Sequence, residues 1–278
     1  MASESAPPQW IDTHCHLDAR EFDDDRDAVV AQAHAAGVGH IVVPAVARWN
    51  FDVVRALAHR HAACSYALGI HPIHAAQASD DDLAELRRQV AASMDDQRFV
   101  AIGEIGLDFF IPNPDVERQN AVFQAQLRIA REFDLPVLMH VRKSQDQVRS
   151  AAAKAGVRGI AHAFNGSPDQ AHHFVDSGFK LGFGGVFTFS RANRVRRLAL
   201  EMPIEAIVLE TDAPDLAPAW LADDQFSEQV GTRNAPAEVA RIADAMAQLR
   251  GMSIEALAEQ ARRNSIEAIP RLAALLQP

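Results

Sequence analysis

Short apolar segments rich in β-branched residues alternate with longer segments of helical periodicity along almost the whole chain. About eight strands are predicted, at 10–16, 40–46, 64–71, 99–108, 136–141, 159–164, 179–185 and 206–211. The helical segments between them are 26–36, 51–61, 80–94, 116–133, 145–155, 169–177 and 192–201. This alternation is typical of βα units around a parallel sheet.

The chain is expected to form one domain, because neither a Gly/Ser linker nor a shift in composition divides it. We predict a (β/α)8 TIM-type barrel over residues 10–278, preceded by a disordered tail at 1–9. An open doubly wound sheet is the rival architecture. After the last strand, Asn234 is the predicted N-cap of the first of two or three closing helices, with Pro236 in its first turn.

Charge and cysteine content narrow the classes of function. The net charge of -10 argues against a protein that coats nucleic acid, but bound cations and local arginines could still serve a nuclease. Two cysteines are too few for a disulfide framework, and no apolar run reaches the length of a membrane span. With no secretory signal visible, we expect a cytoplasmic protein that makes no membrane contact.

The first predicted strand carries a pair of histidines. His14 and His16 are two residues apart, so both rings leave the same face of the strand while Cys15 points to the other. A single histidine on an apolar strand is usually a hydrogen-bonded core residue. Two on one face can share a metal ion, and Cys15 is then expected to pack in the core.

Further polar residues stand at or near the carboxyl ends of other predicted strands, where barrel enzymes place their reactive groups. They are His71, Glu104, His140, His162 and Asp212. Imidazole and carboxylate ligands suit zinc, manganese, iron or nickel, and carboxylate-rich positions also accept magnesium. Together with the pair on the first strand, these positions supply six candidate ligands, which are His14, His16, Glu104, His140, His162 and Asp212. Six ligands exceed the needs of one tetrahedral ion, so two bridged ions are a second possibility.

Other residues are given lesser roles. Trp220 could stack on a base or pack under its loop. The remaining histidines, His40 among them, are expected to be solvated or packed along their stems. No phosphate-binding loop, zinc-protease helix or dinucleotide fingerprint is present in the sequence.

Taken in order, the motifs resemble the TatD family of metal-dependent deoxyribonucleases, within the amidohydrolase-like barrel group. The resemblance rests on Asp12-Thr13-His14-Cys15-His16-Leu17, Gly69-Ile70-His71-Pro72, Gly103-Glu104-Ile105-Gly106-Leu107-Asp108, His140 with Arg142, His162-Ala163-Phe164-Asn165-Gly166, Glu210-Thr211-Asp212-Ala213-Pro214 and Arg233-Asn234-Ala235-Pro236. Asn165 and Ala235 depart from the usual pattern, which bears on substrate preference rather than on metal binding.

This resemblance implies a hydrolase that uses one or two divalent ions, such as Mg, Mn or Zn, to cut DNA from the 3′ end of single strands. By position, one metal would be held by His14, His16, Glu104 and Asp212 and the other by Glu104, His140 and His162. His71 would position the scissile phosphate, and Asp108, Arg142 and Asn165 would join it in contacting substrate.

We expect Asp212 to help deprotonate a metal-activated water that attacks phosphorus, with His71 and Arg142 donating to the phosphate oxygens. RNA is a possible substrate, and the protein is expected to be a monomer. Two other classes stay open. One is a hydrolase of a small ester, amide or lactone, or of an aminoacyl-tRNA ester, and the other is a non-enzymatic metal-binding scaffold.

Overall fold

The computed structural model describes residues 9–222 and 232–276, so the predicted tail at 1–9 lies almost wholly outside the described residues. Eight parallel strands follow one another around a single sheet in chain order. They are β1 (Trp10–Asp12), β2 (Val38–Pro44), β3 (Cys64–Leu68), β4 (Phe99–Asp108), β5 (Val137–Arg142), β6 (Gly159–Ala161), β7 (Lys180–Phe183) and β8 (Ile207–Leu209). The predicted alternation is confirmed.

Helices connect the strands and cover the outside of the sheet. They are α1 (Arg26–Ala35), α2 (Phe51–Arg60), α3 (Asp80–Ser93), α4 (Val116–Glu132), α5 (Gln145–Ala155), α6 (Pro168–Asp176) and α7 (Asn193–Glu201), followed by α8 (Glu238–Arg250), α9 (Ile254–Ala268) and α10 (Leu272–Leu275). No described helix combines the length and apolar character needed to span a membrane.

The sheet is nearly closed into a barrel because its first and last strands meet. The backbone N–H of Thr13 donates to the carbonyl of Leu209 over 3.1 Å, and the N–H of His16 donates to the carbonyl of Ala213 over 2.8 Å. These contacts decide between the two architectures considered above. The fold is the predicted TIM barrel with three additional C-terminal helices in its described part.

The hydrophobic core has two layers, one inside the barrel and one between the strands and the surrounding helices. A small interior cluster takes one or two apolar residues from most of the strands and includes Ile11, Ala101, Leu138, Ile160 and Val208. The C-terminal residues Ala268, Ile269 and Leu272 pack against this cluster. On several strands an interior residue precedes a polar side chain, as Leu138 precedes His140 and Ile160 precedes His162, so these polar groups lie toward the carboxyl end.

Several strands end earlier than predicted. The hydrogen-bonded ladder of β1 stops at Asp12 rather than residue 16, β3 stops at Leu68 rather than 71, β6 stops at Ala161 rather than 164, and β8 stops at Leu209 rather than 211. Beyond these points the backbone leaves the ladder, and Ala163 and Asp212 adopt left-handed conformations with φ of 44° and 57°. At these turns the polar side chains that follow the strands lie over the barrel mouth.

Asn234 does not cap a helix, contrary to the prediction. Helix α8 begins at Glu238 with Ala237 as its N-cap. The buried Asn234 side chain instead donates through Nδ2 to the carbonyls of Thr211 and Asp215, both over 2.9 Å. It therefore ties the segment before α8 to the loop that carries Asp212.

Candidate metal centre

Glu104 lies at the centre of the polar cluster at the barrel mouth. Strand β4 buries its side chain almost completely, and the two carboxylate oxygens face different histidines. Oε1 lies 2.9 Å from His140 Nδ1, 3.2 Å from His162 Nε2 and 3.3 Å from His71 Nε2. This one oxygen thus lies within 3.3 Å of imidazole nitrogens from three different strands or strand ends.

The other oxygen of Glu104 faces the histidine pair from the end of β1. Oε2 lies 3.2 Å from His14 Nε2 and 3.3 Å from His16 Nε2. The two Nε2 atoms are 3.4 Å apart, which confirms that both rings point to one face. Cys15, which lies between the two histidines in sequence, is buried in the hydrophobic core, as expected.

Asp212 completes this side of the cluster. Its Oδ1 lies 3.7 Å from His14 Nε2 and 3.6 Å from His16 Nε2, and its backbone N–H donates to the carbonyl of His14 over 2.8 Å. Burial raises the pKa of this carboxyl group to about 6, although the charges of His162 and His16 oppose the shift. The left-handed backbone at this position is one that aspartate tolerates better than most residues.

The contacts between Glu104 and the histidines favour the charged forms of both Glu104 and His16, although burial opposes charge on each. Burial opposes the charge on Glu104, but the surrounding histidines His71, His14 and His162 outweigh it and hold its pKa well below the usual range. Burial also opposes the charge on His16, yet hydrogen bonding to Glu104 and the nearby acidic charges raise its pKa to about 9. Glu104 is therefore held ionised beside a charged His16, whereas burial lowers the pKa values of His14 and His71.

Three groups of donor atoms in this cluster could hold a metal ion. They are His14 with Glu104 and His162, His14 with His16 and Asp212, and His71 with Glu104 and His140. Within each group the donor atoms all lie within 4.8 Å of one another. Imidazole nitrogens that converge on carboxylate oxygens are the donor set expected for a divalent transition ion, so the residues fit a metal centre with one or two ions.

His71 and His162 are placed differently from the pattern that the resemblance implied. His71 Nε2 lies 3.0 Å from His140 Nδ1, so His71 belongs by geometry to a possible ligand group. His162 stacks on His14 with ring centroids 3.9 Å apart and an interplanar angle of 12°. His162 therefore stands between the two groups of histidines.

Asp108 lies behind His140 and is almost completely buried. Its Oδ2 is 3.2 Å from His140 Nε2, while Oδ1 accepts a hydrogen bond from the backbone of Phe110 over 2.8 Å. This contact leaves His140 Nδ1 facing Glu104. A carboxylate that holds the far nitrogen of a ligand histidine fixes the ring and raises its basicity.

The sequence analysis missed Glu210 as a residue of the centre. Its Oε1 accepts a hydrogen bond from Ala163 N over 2.5 Å and lies 3.4 Å from His162 Nδ1. A side chain at Gly182 on β7 would overlap the Glu210 carboxylate, so this position needs glycine. The Gly182-Phe183-Gly184-Gly185 run had been interpreted only as a close backbone approach, without the acidic partner.

Asp12 was also missed and lies under the loop of Asp212. Its fully buried carboxyl group accepts hydrogen bonds from Thr211 N over 2.9 Å, from Thr211 Oγ1 and from His14 N. Burial raises its pKa to about 8. The contact ties β1 to the segment that precedes Asp212, a pairing that only barrel closure produces.

A cleft of about 1000 Å³ opens over the cluster and is lined by His16, His71, Glu104, His140, His162 and Asp212. Arg142 and Asn165 also line it, and Asn165 Oδ1 accepts a hydrogen bond from Gln145 over 3.0 Å. Arg142 lies over the ring of Phe110, with its guanidinium carbon 4.0 Å from the ring centroid.

Two residues outside the cluster had been given lesser roles: Trp220 adopts one of its two expected roles, whereas His40 departs from its prediction. Trp220 takes the packing role, because its indole donates to Glu238 Oε2 over 2.6 Å and its ring rests against the hydrophobic core. His40 is neither solvated nor packed along its stem. It lies buried on β2 with Nε2 2.9 Å from Ser65 Oγ, since the strand register places both side chains inside.

Comparison with known proteins identifies the family. The family described as TatD related DNase matches residues 11–269. The uncharacterized metal-dependent hydrolase YjjV of Escherichia coli is 36% identical over 259 residues, which cover 92% of this chain and 96% of that protein. The deoxyribonuclease TATDN3 of Homo sapiens is 30% identical over 277 residues, covering 96% and 97%.

The fold is shared with a solved relative. The crystal structure of YjjV, a TatD homologue from Escherichia coli, superposes with a TM-score of 0.86 at 35% identity and covers 94% of this chain and 98% of its own. The chain therefore belongs to the TatD family of metal-dependent hydrolases.

Proposed function

We propose that this protein is a divalent-metal-dependent deoxyribonuclease that removes nucleotides from the 3′ end of single-stranded DNA, with RNA as a possible substrate. The observation that carries the proposal is the division of the Glu104 carboxylate, whose two oxygens each face a separate set of imidazoles. Two ions bridged by a carboxylate are a common arrangement in enzymes that cut phosphodiesters.

The proposed ligands are the six residues His14, His16, Glu104, His140, His162 and Asp212. Divalent ions at such a centre supply Lewis-acid stabilisation of phosphate oxygens and make water nucleophilic near neutral pH. Asp108 would keep His140 oriented, and Glu210 would do the same for His162. The metal could be Mg, Mn or Zn, because this donor set accepts each of them.

The remaining residues of the cleft would handle the substrate. Asp212, which lines the cleft at the edge of the cluster, would accept the proton of the attacking water. His71 is close enough to Glu104 and His140 to serve either as a ligand or as a donor to a phosphate oxygen. Arg142 and Asn165 line the same cleft and would contact phosphate and sugar.

Support for DNA as the substrate comes from a relative as well as from the site. TATDN3, which matches along nearly its whole length, is named a deoxyribonuclease. The net charge of -10 favours a second candidate, a metal-dependent hydrolase of a small ester, amide or lactone, or of an aminoacyl-tRNA ester.

A monomer in the cytoplasm is proposed alongside, and two free, buried cysteines are consistent with a reducing compartment.

A labelled oligonucleotide separates the two candidates. The metal-loaded protein is incubated with a 5′-labelled single strand and, in parallel, with a panel of chromogenic esters. Stepwise shortening that a chelator abolishes supports the nuclease, whereas ester turnover without nucleotide release supports the second candidate. Bound metal without any turnover would favour the scaffold.

Glu104→Gln tests the site itself, because it keeps the side-chain volume while it removes the charge. We expect it to lower turnover by at least a hundredfold, roughly the loss of several kcal/mol of charge stabilisation. Glu117→Gln on α4 is the matched control, and circular dichroism checks that both variants fold. Turnover by Glu104→Gln close to that of the control would contradict the proposed function.

A further inference from the structure

An exposed tryptophan stands on the rim of the cleft. Trp49, in the loop after β2, leaves 68% of its surface accessible and is the most exposed large apolar side chain among the described residues. It lines the same cleft as the histidines and carboxylates of the metal centre. Large apolar groups left in water at a cleft commonly mark a contact surface.

The backbone on both sides of Trp49 is held in place. Arg48 pairs with Asp81 over 2.7 Å and with Asp82 over 3.1 Å at the start of α3. Asn50 is buried, accepts hydrogen bonds from the N–H groups of Val46 and Ala47, and donates to Asp18. The indole is therefore presented from a fixed loop rather than from a mobile one.

Two neighbours extend this surface and connect it to the metal centre. Ile73 is 45% exposed, and its backbone N–H donates to His71 Nδ1 over 3.1 Å. The ring of His74 lies against Trp49 with centroids 6.3 Å apart and an interplanar angle of 89°. All three residues line the cleft, and Ile73 and His74 lie two and three residues after His71, which contacts Glu104.

We propose that Trp49, Ile73 and His74 form a stacking platform for one unpaired nucleobase of the substrate strand, next to the phosphodiester at the metal centre. The inference rests on the proposed function and specifies its preference for single strands. An aromatic face accepts any base but requires that the base be unpaired and splayed from its neighbour. A nucleobase is favoured over a protein partner because the platform lines the same cleft as the residues of the metal centre.

Tryptophan fluorescence provides a direct readout. Of the three tryptophans, Trp10 is buried and Trp220 is hydrogen-bonded to Glu238, so quenching by a stacked base reports on Trp49. The metal-loaded protein is titrated with octathymidylate whose linkages are phosphorothioates, which slows cleavage. We expect quenching by this strand, less quenching by the same sequence in a blunt duplex, and none by a strand of abasic sites.

Variants test the contribution of the ring. Trp49→Ala should raise the Kd for octathymidylate roughly tenfold, the loss expected for one stacked base, and Trp49→Phe should restore most of the affinity. Leu200→Ala removes a similarly exposed apolar side chain outside the cleft and serves as the control. The increase in KM for Trp49→Ala should be larger for the oligonucleotide than for the base-free diester bis(p-nitrophenyl) phosphate.

Three results would overturn the platform. They are a Kd for Trp49→Ala within twofold of that for Leu200→Ala, equal quenching by the abasic strand, and a shift from dimer to monomer in Trp49→Ala without a change in DNA affinity. Absence of turnover of both DNA and the base-free diester by the wild-type protein contradicts the proposed function and the platform with it. Retained turnover with unchanged binding overturns the platform alone.

Discussion

The Oδ2 atom of Asp108 lies 3.2 Å from Nε2 of His140, and the opposite nitrogen of the same ring lies 2.9 Å from Glu104. A nearly buried carboxylate thus sets which nitrogen of His140 faces the metal centre. Asp108 also lines the cleft, so its predicted contact with substrate stays a prediction. Its observed contacts are those of a residue that orients His140.

Asp108→Asn should weaken metal binding about 10- to 100-fold, because the amide neither stabilises an imidazole ligand nor raises its basicity as the carboxylate does. Isothermal titration with Mn²⁺ measures this affinity, and Asp115→Asn at the start of α4 is the control. Metal affinity within twofold of wild type would assign Asp108 to another role.

Gly182→Ala should displace the Glu210 carboxylate and with it the contact to His162. We expect a loss of about 1–3 kcal/mol in the free energy of unfolding, measured by urea denaturation, together with reduced metal affinity. Gly39→Ala on β2, where the three atoms nearest to the new methyl group all belong to the side chain of Gln9, is the control. In a Glu210→Ala background the cost of Gly182→Ala should fall, and an unchanged cost would show that the two positions are not coupled.

Asn234→Ala should leave the buried carbonyls of Thr211 and Asp215 without their donor. The expected destabilisation is about 1–3 kcal/mol, with a lower kcat because the loop of Asp212 is no longer held. Asn193→Ala, at the exposed first residue of α7, should change neither quantity. A helix cap would predict loss of stability without any change in kcat, so the ratio of the two effects separates the observed contact from the one first expected.

His40 should make the protein less stable in mild acid. Burial lowers its pKa to about 4, so the unfolded chain takes up a proton near pH 6.5 while the folded chain does not. The stability contributed by the neutral ring is present above pH 6.5 and is lost as the pH falls toward 4. Between pH 7.5 and pH 5 this amounts to about 2 kcal/mol.

The free energy of unfolding of His40→Gln, measured in urea at both pH values, should lose most of that difference, because glutamine does not titrate and keeps a partner for Ser65. The exposed His34→Gln variant should retain the wild-type difference. Equal pH dependence in His40→Gln and wild type would mean that other groups cause the acid sensitivity.

Most of the fold could be predicted because hydrophobic periodicity is a local property. Strand β4 was predicted with its observed bounds, and helix α5 likewise. The largest errors lie at the carboxyl ends of strands such as β1, β3 and β6, where the predicted strand continues after the hydrogen-bonded ladder has stopped. Strand propensity depends on residue type and does not indicate where the ladder ends. The backbone turns there and presents side chains to the cleft.

The sequence by itself determined that residues 10–278 contain alternating strands and helices, and that His14 and His16 share a face. Only the tertiary structure decided which donors meet, because the register and closure of eight strands set the distances between Glu104 and its five histidines. The same closure brought Asp12 to Thr211 and Glu210 to His162. Contacts across 47 or more residues depend on the path of the whole barrel, and no local pattern encodes them.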